Sequence, residues 1–364
     1  MTCEKGVLQK MEKKRKILKI VQFTAVALAL LATVLLISRA IAMRAVYDRA
    51  VKNNAVSRLE TLELDGEEQS VLVEGKREDL PVLIMLHGGP QSPIIYGTGY
   101  RGDTPELTEH FLVVYWDCWG CGKNFTDDTE SVTLERQVAM TCDLVRAMKA
   151  QYPGRKIYLF GYSNGTILTV SAAQTVGGDL AGIINLGPIT SLKDAQEMAF
   201  QALKTEDMSY WDRRVLEESY ERNDLEGFSK LEEMVTLKTS RMFYWKDLSA
   251  NTRLMGYFVR VFYSPDFSLA DIYHAYYASI FGGSRFTTLR QQIYEADEKQ
   301  AMENLEVPML ILQAEGDIYG PADFFRHLAA QKDNVTFIQI PESAHLPTNA
   351  GFETVNCAVV DFAK

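Results

Sequence analysis

The chain predicts an α/β protein: a mainly parallel, eight-stranded sheet flanked by helices, with a helical insertion and a leading transmembrane helix. Three observations predict it. Short, continuous apolar runs alternate with longer helical stretches from Ser57 onward. One stretch, from about 191 to 305, breaks that rhythm and carries almost no strand signal. Ahead of both, Ile20 to Ile37 is an apolar run without a charge. The composition fits: of 364 residues, 47% are hydrophobic and 24% charged, which is ordinary for a globular protein with a substantial core.

The N-terminal element is justified by its flanks. Lys13-Lys-Arg-Lys16 precedes the run, and Gln22, Thr24 and Thr33 alone interrupt it. Its 18 residues approach the minimum for a bilayer span. Positive charge is concentrated before the run, although Arg39, Arg44 and Arg49 follow it, so the N-terminus is expected inside and the body across the membrane. Ala40-Ile41-Ala42 offers a signal-peptidase site as the alternative. The length of the run favours an uncleaved anchor over a signal peptide, and the lack of a polar face argues against a buried soluble helix. Formal net charge is -10, yet residues 1–44 carry about +7, leaving about -17 on the rest. An acidic body repels phosphates, so nucleic acid is not expected as a partner.

The sheet strands are expected at Val82–Leu86, Phe111–Trp116, Ile157–Phe160, Ile183–Leu186, Met309–Leu312 and Val335–Ile340. Continuous apolar runs of this kind suit strands covered on both faces. Residues 57–75 read as a leading antiparallel pair turning at Asp65-Gly66. Helices are expected at Leu134–Tyr152, Thr166–Thr175, Ala322–Gln331 and Phe352–Lys364. The insertion is rich in aromatics, among them Tyr210, Trp211, Phe243, Trp245, Tyr257, Phe258 and Tyr273. Most of these are expected to form its own core, because aromatics at helical spacing usually pack inward.

Chemistry concentrates in loops that follow strands. Gly161-Tyr-Ser163-Asn-Gly165 is a G-x-S-x-G between a strand and a helix, the context in which the motif lifts a serine above a sheet edge. A serine nucleophile needs a base, and the base needs an acid to orient it. Of five histidines, His345 lies just after the last strand, and Asp317 lies after the strand before it. Ser163, Asp317 and His345 are therefore the candidate catalytic residues, with Glu315 the close rival for the acid. His87-Gly-Gly-Pro90 follows the strand Val82–Leu86. It is the candidate oxyanion loop, with the N–H of Gly89 joining that of Asn164. His87 itself is expected to be structural.

Two other patterns are set aside. Cys118-Trp-Gly-Cys121 is a C-x-x-C without a second ligand pair at zinc spacing, so it is read as small loop residues. Gly120-Cys-Gly-Lys123 lacks the glycine and the Ser/Thr of a phosphate loop, where Asp117 and Asn124 stand. No cofactor and no metal are expected.

His87-Gly-Gly-Pro90, Tyr115-Trp-Asp117 with Gly120-Cys-Gly-Lys123, the serine elbow and the Asp317 and His345 loops together resemble the proline iminopeptidase-like branch of the α/β-hydrolases, serine peptidase family S33. The resemblance covers about residues 57–190 and 306–364. It implies an α/β-hydrolase fold, removal of N-terminal residues from small peptides without a metal, and the same roles for Ser163, Asp317, His345, Gly89 and Asn164. It also implies cap carboxylates that hold the substrate amine, for which Glu217, Glu218 and Glu221 are among the candidates. The chain departs from the family where Gln91 follows the His-Gly-Gly-Pro loop, where Asp117-Cys-Trp-Gly120 replaces Asp-Gln-Arg-Gly, and where Asn164 replaces a common tryptophan.

The expected organisation is a cytoplasmic tail and anchor (1–45), a hydrolase core in two parts (46–190 and 306–364) and a helical cap (191–305). The expected function is a single-pass, cell-membrane serine hydrolase with an extracytoplasmic body, cleaving an ester or amide of a small-molecule or short-peptide substrate. A carboxylesterase or lipase-like hydrolase of acyl substrates, and a non-catalytic binding protein on the same fold, are the alternatives.

Overall fold

The structure, a computed structural model, describes residues 2–89, 91–93, 95–244, 256 and 259–364, with side chains given for all of these except 2–12 and 279–284. Pro90 of the His-Gly-Gly-Pro loop and Trp245, Tyr257 and Phe258 of the insertion lie outside the described residues.

Eight strands form one sheet in the order β1-β2-β4-β3-β5-β6-β7-β8. Their ranges are β1 Val56–Leu64, β2 Glu67–Gly75, β3 Val82–Leu86, β4 Leu112–Trp116, β5 Ile157–Tyr162, β6 Gly182–Leu186, β7 Met309–Ala314 and β8 Val335–Ile340. β1 and β2 pair antiparallel, β2 pairs antiparallel with β4, and every later pairing is parallel. The β1–β2 hairpin turns at Asp65 (φ 46°) and Gly66 (φ 77°). Two consecutive positive φ angles make a type I′ turn, the hand that matches strand twist.

The apolar runs are continuous because both faces of the sheet are covered. Val82, Ile84 and Leu86 of β3 join one core with Leu112, Val114, Leu159 and Ile311. Leu83 and Met85 join the other with Val113, Tyr115, Phe160 and Leu310. Alternation along each strand thus sends successive side chains into two different cores. Losing one such side chain, as in Ile84→Ala, costs about 2–5 kcal/mol.

The chain leaves β3 for β4 on one side and later returns to β5 on the other. The carboxyl ends of β3 and β5 therefore flank a crevice where the direction of winding reverses, the usual ligand position in such sheets.

Among its described residues the insertion's regular structure is helical, joined by turns and loops, apart from an isolated bridge between Ser191 and Asp297. It contributes α5 Leu192–Lys204, α6 Tyr210–Arg222, α7 Leu225–Lys238 and the helices Leu269–Arg285, Thr287–Glu295 and Lys299–Asn304. Ser191, Ser209 and Asp224 cap the first three, their side chains accepting N–H groups two or three residues on. Each such cap is worth about 1 kcal/mol.

Most of the insertion's described aromatics are buried or partly buried, as expected, and three depart from that pattern. Tyr210, Trp211 and Tyr273 are exposed, whereas Phe228, Phe267, Phe286 and Tyr294 are buried. Helical phase explains it: α6 turns Leu216 and Ser219 inward, which leaves the first-turn pair Tyr210-Trp211 on the outer face.

α1 runs from Thr2 to Asn53 as one helix. Its described part is long and apolar enough to cross a membrane, a test that a signal sequence also passes. Its last turns dock on the body. Ala50 is buried, and Arg39 donates to the carbonyls of Phe262 and Phe267 at 2.9 and 2.5 Å. Beside it Arg101 grips Asp266 with two hydrogen bonds of 2.6 and 2.7 Å beneath the Tyr47 ring. The apolar helix and the insertion therefore meet at one place.

Candidate active site

The serine elbow follows from close packing at the end of β5. Ser163 has φ 53°, a left-handed conformation that costs a non-glycine residue about 1–3 kcal/mol. The residues two positions to either side, Gly161 and Gly165, must be glycine, since a Cβ on Gly161 would lie 2.5 Å from the Gly165 carbonyl oxygen. A Cβ on Gly165 would lie 2.1 Å from the Leu86 carbonyl oxygen of β3. The first turn of α4 (Gly165–Val176) can then press against β3, and the serine stands at that helix's N-terminus.

His345 and Asp317 arrive on the loops after β8 and β7. Ser163 Oγ donates to His345 Nε2 at 2.8 Å, and His345 Nδ1–H donates to Asp317 Oδ2 at 2.8 Å. The tautomer follows from the partner, since an ionised carboxylate only accepts. Asp317 is held in turn, its Oδ1 accepting from the Tyr319 N–H at 2.8 Å. All three side chains are buried below a tenth of their free exposure, so the chain of hydrogen bonds sits in a poorly solvated setting. Gly187, after β6, has φ 56°, and a Cβ there would come within 3.0 Å of both His345 and Asp317.

Aromatic rings brace the imidazole. Tyr319 lies 4.3 Å and Tyr162 5.5 Å from it between ring centroids. The His345 N–H bonds to the Arg241 carbonyl at 2.8 Å, so a segment of the insertion pairs with the histidine loop. Glu315, the rival acid, points to the surface and accepts from the Glu342 N–H at 3.3 Å. His110 and His327 are exposed, and His274 stacks on Phe125.

Gly89, with φ 48°, and Asn164 both line the cavity that holds Ser163. Among the described residues neither N–H has a hydrogen-bond acceptor. Two unfilled donors beside a serine hydroxyl are the requirement for binding a developing oxyanion.

His87 shapes this loop from behind. Its Nδ1–H donates to the Gly88 carbonyl at 3.0 Å, and its Nε2 accepts the Cys118 N–H at 2.9 Å. Complete burial lowers its pKa to about 4, so it is neutral and structural. Asp117 pins the adjoining loop by accepting from Thr98 N and Oγ at 2.7 Å and from Lys123 N at 2.9 Å. Cys118 and Cys121 are buried free thiols of the same loop, and Cys121 donates to the Cys118 carbonyl at 3.1 Å.

The cavity measures about 300 Å³ and is roofed by the insertion through Leu225, Phe228, Met242, Phe243 and Ile293. Two of its lining residues are charged, Glu232 on α7 and Arg290 on the helix Thr287–Glu295. Neither was singled out from sequence, where nothing distinguishes them from the insertion's other charges. Glu217, Glu218 and Glu221 lie instead on the exposed face of α6, with Glu218 paired to Arg214.

Known proteins resemble this chain in sequence and in fold. The probable aminopeptidase YbaC of Bacillus subtilis (strain 168) is 26% identical over 152 residues, 41% of this chain and 47% of that protein. The chain thus spans about half the length of this curated relative in the match. The crystal structure of a proline iminopeptidase from Mycobacterium smegmatis superposes with TM-score 0.57 and 17% identity, covering 84% of this chain and 97% of the other. That of a membrane phospholipase A superposes with TM-score 0.55 and 18% identity, covering 96% and 99%. At such identities the two superpositions speak for the fold alone. The sequence pattern of the family described as the alpha/beta hydrolase fold matches residues 81–348, from the start of β3 through the histidine loop. With that span and this sheet, the chain belongs to the alpha/beta hydrolase fold family.

Proposed function

We propose that the protein is a serine hydrolase that cleaves an ester or amide through an acyl-enzyme. The observation that carries this is the unbroken hydrogen-bonded line from Asp317 through His345 to Ser163, with 2.8 Å at both steps. Ser163 Oγ attacks the substrate carbonyl carbon while His345 Nε2 takes its proton. The carbonyl electron pair moves onto oxygen, where the Gly89 and Asn164 N–H groups bind it. Collapse breaks the bond to the leaving group, which receives the proton from His345. Water, deprotonated by the same base, then releases the acyl group as a carboxylic acid and frees the serine.

For the substrate, an aminopeptidase of the proline iminopeptidase-like S33 kind is supported by Glu232, a carboxylate in the cavity wall suited to a free amine. An acyl esterase working beside a membrane is supported by the mostly apolar cavity and by α1 as a candidate span. Lys13, Lys14, Arg15 and Lys16 ahead of that span support an N-terminus inside and a body outside.

Alanyl and prolyl amides assayed beside short acyl esters, with full-length protein in detergent, test the reading. Turnover is expected for one class and should vanish in Ser163→Ala. Amide cleavage that needs a free amine and falls in Glu232→Gln marks an aminopeptidase, and ester cleavage alone marks an esterase. Turnover that survives Ser163→Ala contradicts the mechanism.

A further inference from the structure

The two charges in the cavity are not equivalent. Glu232 accepts the Tyr319 hydroxyl, so its carboxylate has a donor within the fold. Arg290 donates from Nη2 to the Ser229 hydroxyl at 2.8 Å, a neutral partner. No carboxylate among the described residues forms a salt bridge with it. Arg101, Arg136 and Arg285, also partly or fully buried, each have one, with Asp266, Asp65 and Asp127, whereas Arg241, outside this cavity, has none among those residues.

Arginine keeps its charge at any pH compatible with folding. A charge drawn into a mostly apolar cavity is costly unless something pairs with it. Arg290 is half-buried there, in company with Leu225, Phe228 and Ile293. Its guanidinium has donors to spare, and their planar fork matches a carboxylate or a phosphate with two parallel hydrogen bonds.

We propose that Arg290 binds an anionic oxygen group, a carboxylate or a phosphate, on the part of the substrate remote from the bond that Ser163 cleaves. The proposal rests on reading this cavity as the hydrolase site and adds the substrate's charge to that reading. With Glu232 in the same cavity, a small substrate carrying both an amine and a carboxylate is accommodated as well as an acyl ester with an acidic tail.

The test compares monomethyl adipate with dimethyl adipate on full-length protein in detergent. Both present the same methyl ester, and they differ in whether the remote end is a carboxylate or a neutral ester. The wild type is expected to favour the monoanion in kcat/KM by about tenfold or more. Arg290→Gln should reduce that preference about tenfold, and Arg290→Lys should retain part of it. The methyl ester of 6-phosphonooxyhexanoic acid, run alongside, tells whether phosphate is preferred to carboxylate. An equal loss on both adipates in Arg290→Gln would mean that Arg290 only ties its helix to α7 through Ser229, and would overturn the proposal.

Calorimetric binding of monomethyl adipate to Ser163→Ala keeps the two readings apart, because it needs no turnover. Binding weakened about tenfold by adding Arg290→Gln supports the anion site even if no ester is cleaved. Binding that is absent, or indifferent to Arg290, overturns it. Binding that depends on Arg290, with no turnover by the wild type of any ester or aminoacyl amide assayed, overturns the hydrolase reading alone.

Discussion

The sheet edge and the insertion build the two halves of one cavity by different rules. At the sheet edge each proposed catalytic residue sits just beyond the end of a strand, and backbone geometry fixes it. Ser163 is held by the contact between Gly165 and the Leu86 carbonyl, and His345 by the hydrogen bond to Asp317. In the insertion the cavity residues Leu225, Phe228, Glu232, Arg290 and Ile293 come from helix faces, and only helix packing brings them over the serine. The first half is set by short-range sequence and suits chemistry. The second half depends on the register of helices and suits selection of the substrate.

Substitutions at the sheet edge should therefore act on kcat, and substitutions in the insertion on KM and on substrate preference. The largest effect is expected at the line of hydrogen bonds. Ser163→Ala or His345→Ala should lower kcat by about 10⁴-fold or more, and Asp317→Asn by about 10³–10⁴-fold, in steady-state assays. If a cap residue such as Phe228 matched those losses in kcat, the division would fail.

Next in size is Gly165→Ala. Its Cβ has no room beside the Leu86 oxygen, so urea unfolding should show a loss of about 3 kcal/mol or more. Alanine at Gly177, which has open space, should change stability by less than about 1 kcal/mol.

His87 gives a pH-dependent test of the same edge. Its folded pKa of about 4 lies below the ordinary value of 6.5, so between those values the unfolded chain binds more protons than the folded one. The contribution of neutral His87 is therefore complete above about pH 6.5 and is lost as pH falls toward 4. Wild type should lose about 2–3 kcal/mol relative to His87→Gln between pH 7 and 4.5. Comparison with the variant is needed because Asp117 and Glu298, raised by burial to about 6 and 7, titrate with the opposite sign.

Smaller effects are expected where the sheet edge meets the insertion and on the insertion's outer face. Tyr319→Phe keeps the ring against His345 and removes the hydroxyl from Glu232, so a change of a few-fold, chiefly in KM, is expected. Tyr210→Ala and Trp211→Ala, on the outer face of α6, should alter stability by no more than about 0.5 kcal/mol.

This division also explains what the sequence makes legible. Strands buried on both faces announce themselves as apolar runs, and a serine and an aspartate soon after two of them, β5 and β7, stand out, as does a histidine on the loop after the part-exposed edge strand β8. The leading hairpin was legible because Asp-Gly fits positive φ at both turn positions. The last helix begins at Asn349 rather than Phe352, because the Thr348 hydroxyl accepts the Gly351 N–H at 3.2 Å and caps it there. The insertion resists such reading. Whether Phe228 or Trp211 faces inward depends on phase and packing partners, and composition favours neither. Glu232 and Arg290 look like any surface charge until α7 and the helix Thr287–Glu295 are placed above the sheet.

The central claim, that Ser163 is an activated nucleophile, is tested most directly by labelling the full-length protein with a fluorophosphonate and mapping the adduct by mass spectrometry. The expected result is one adduct, on Ser163, that is absent in Ser163→Ala and forms far more slowly in His345→Ala. An adduct on another residue, or none on folded wild-type protein, would contradict it.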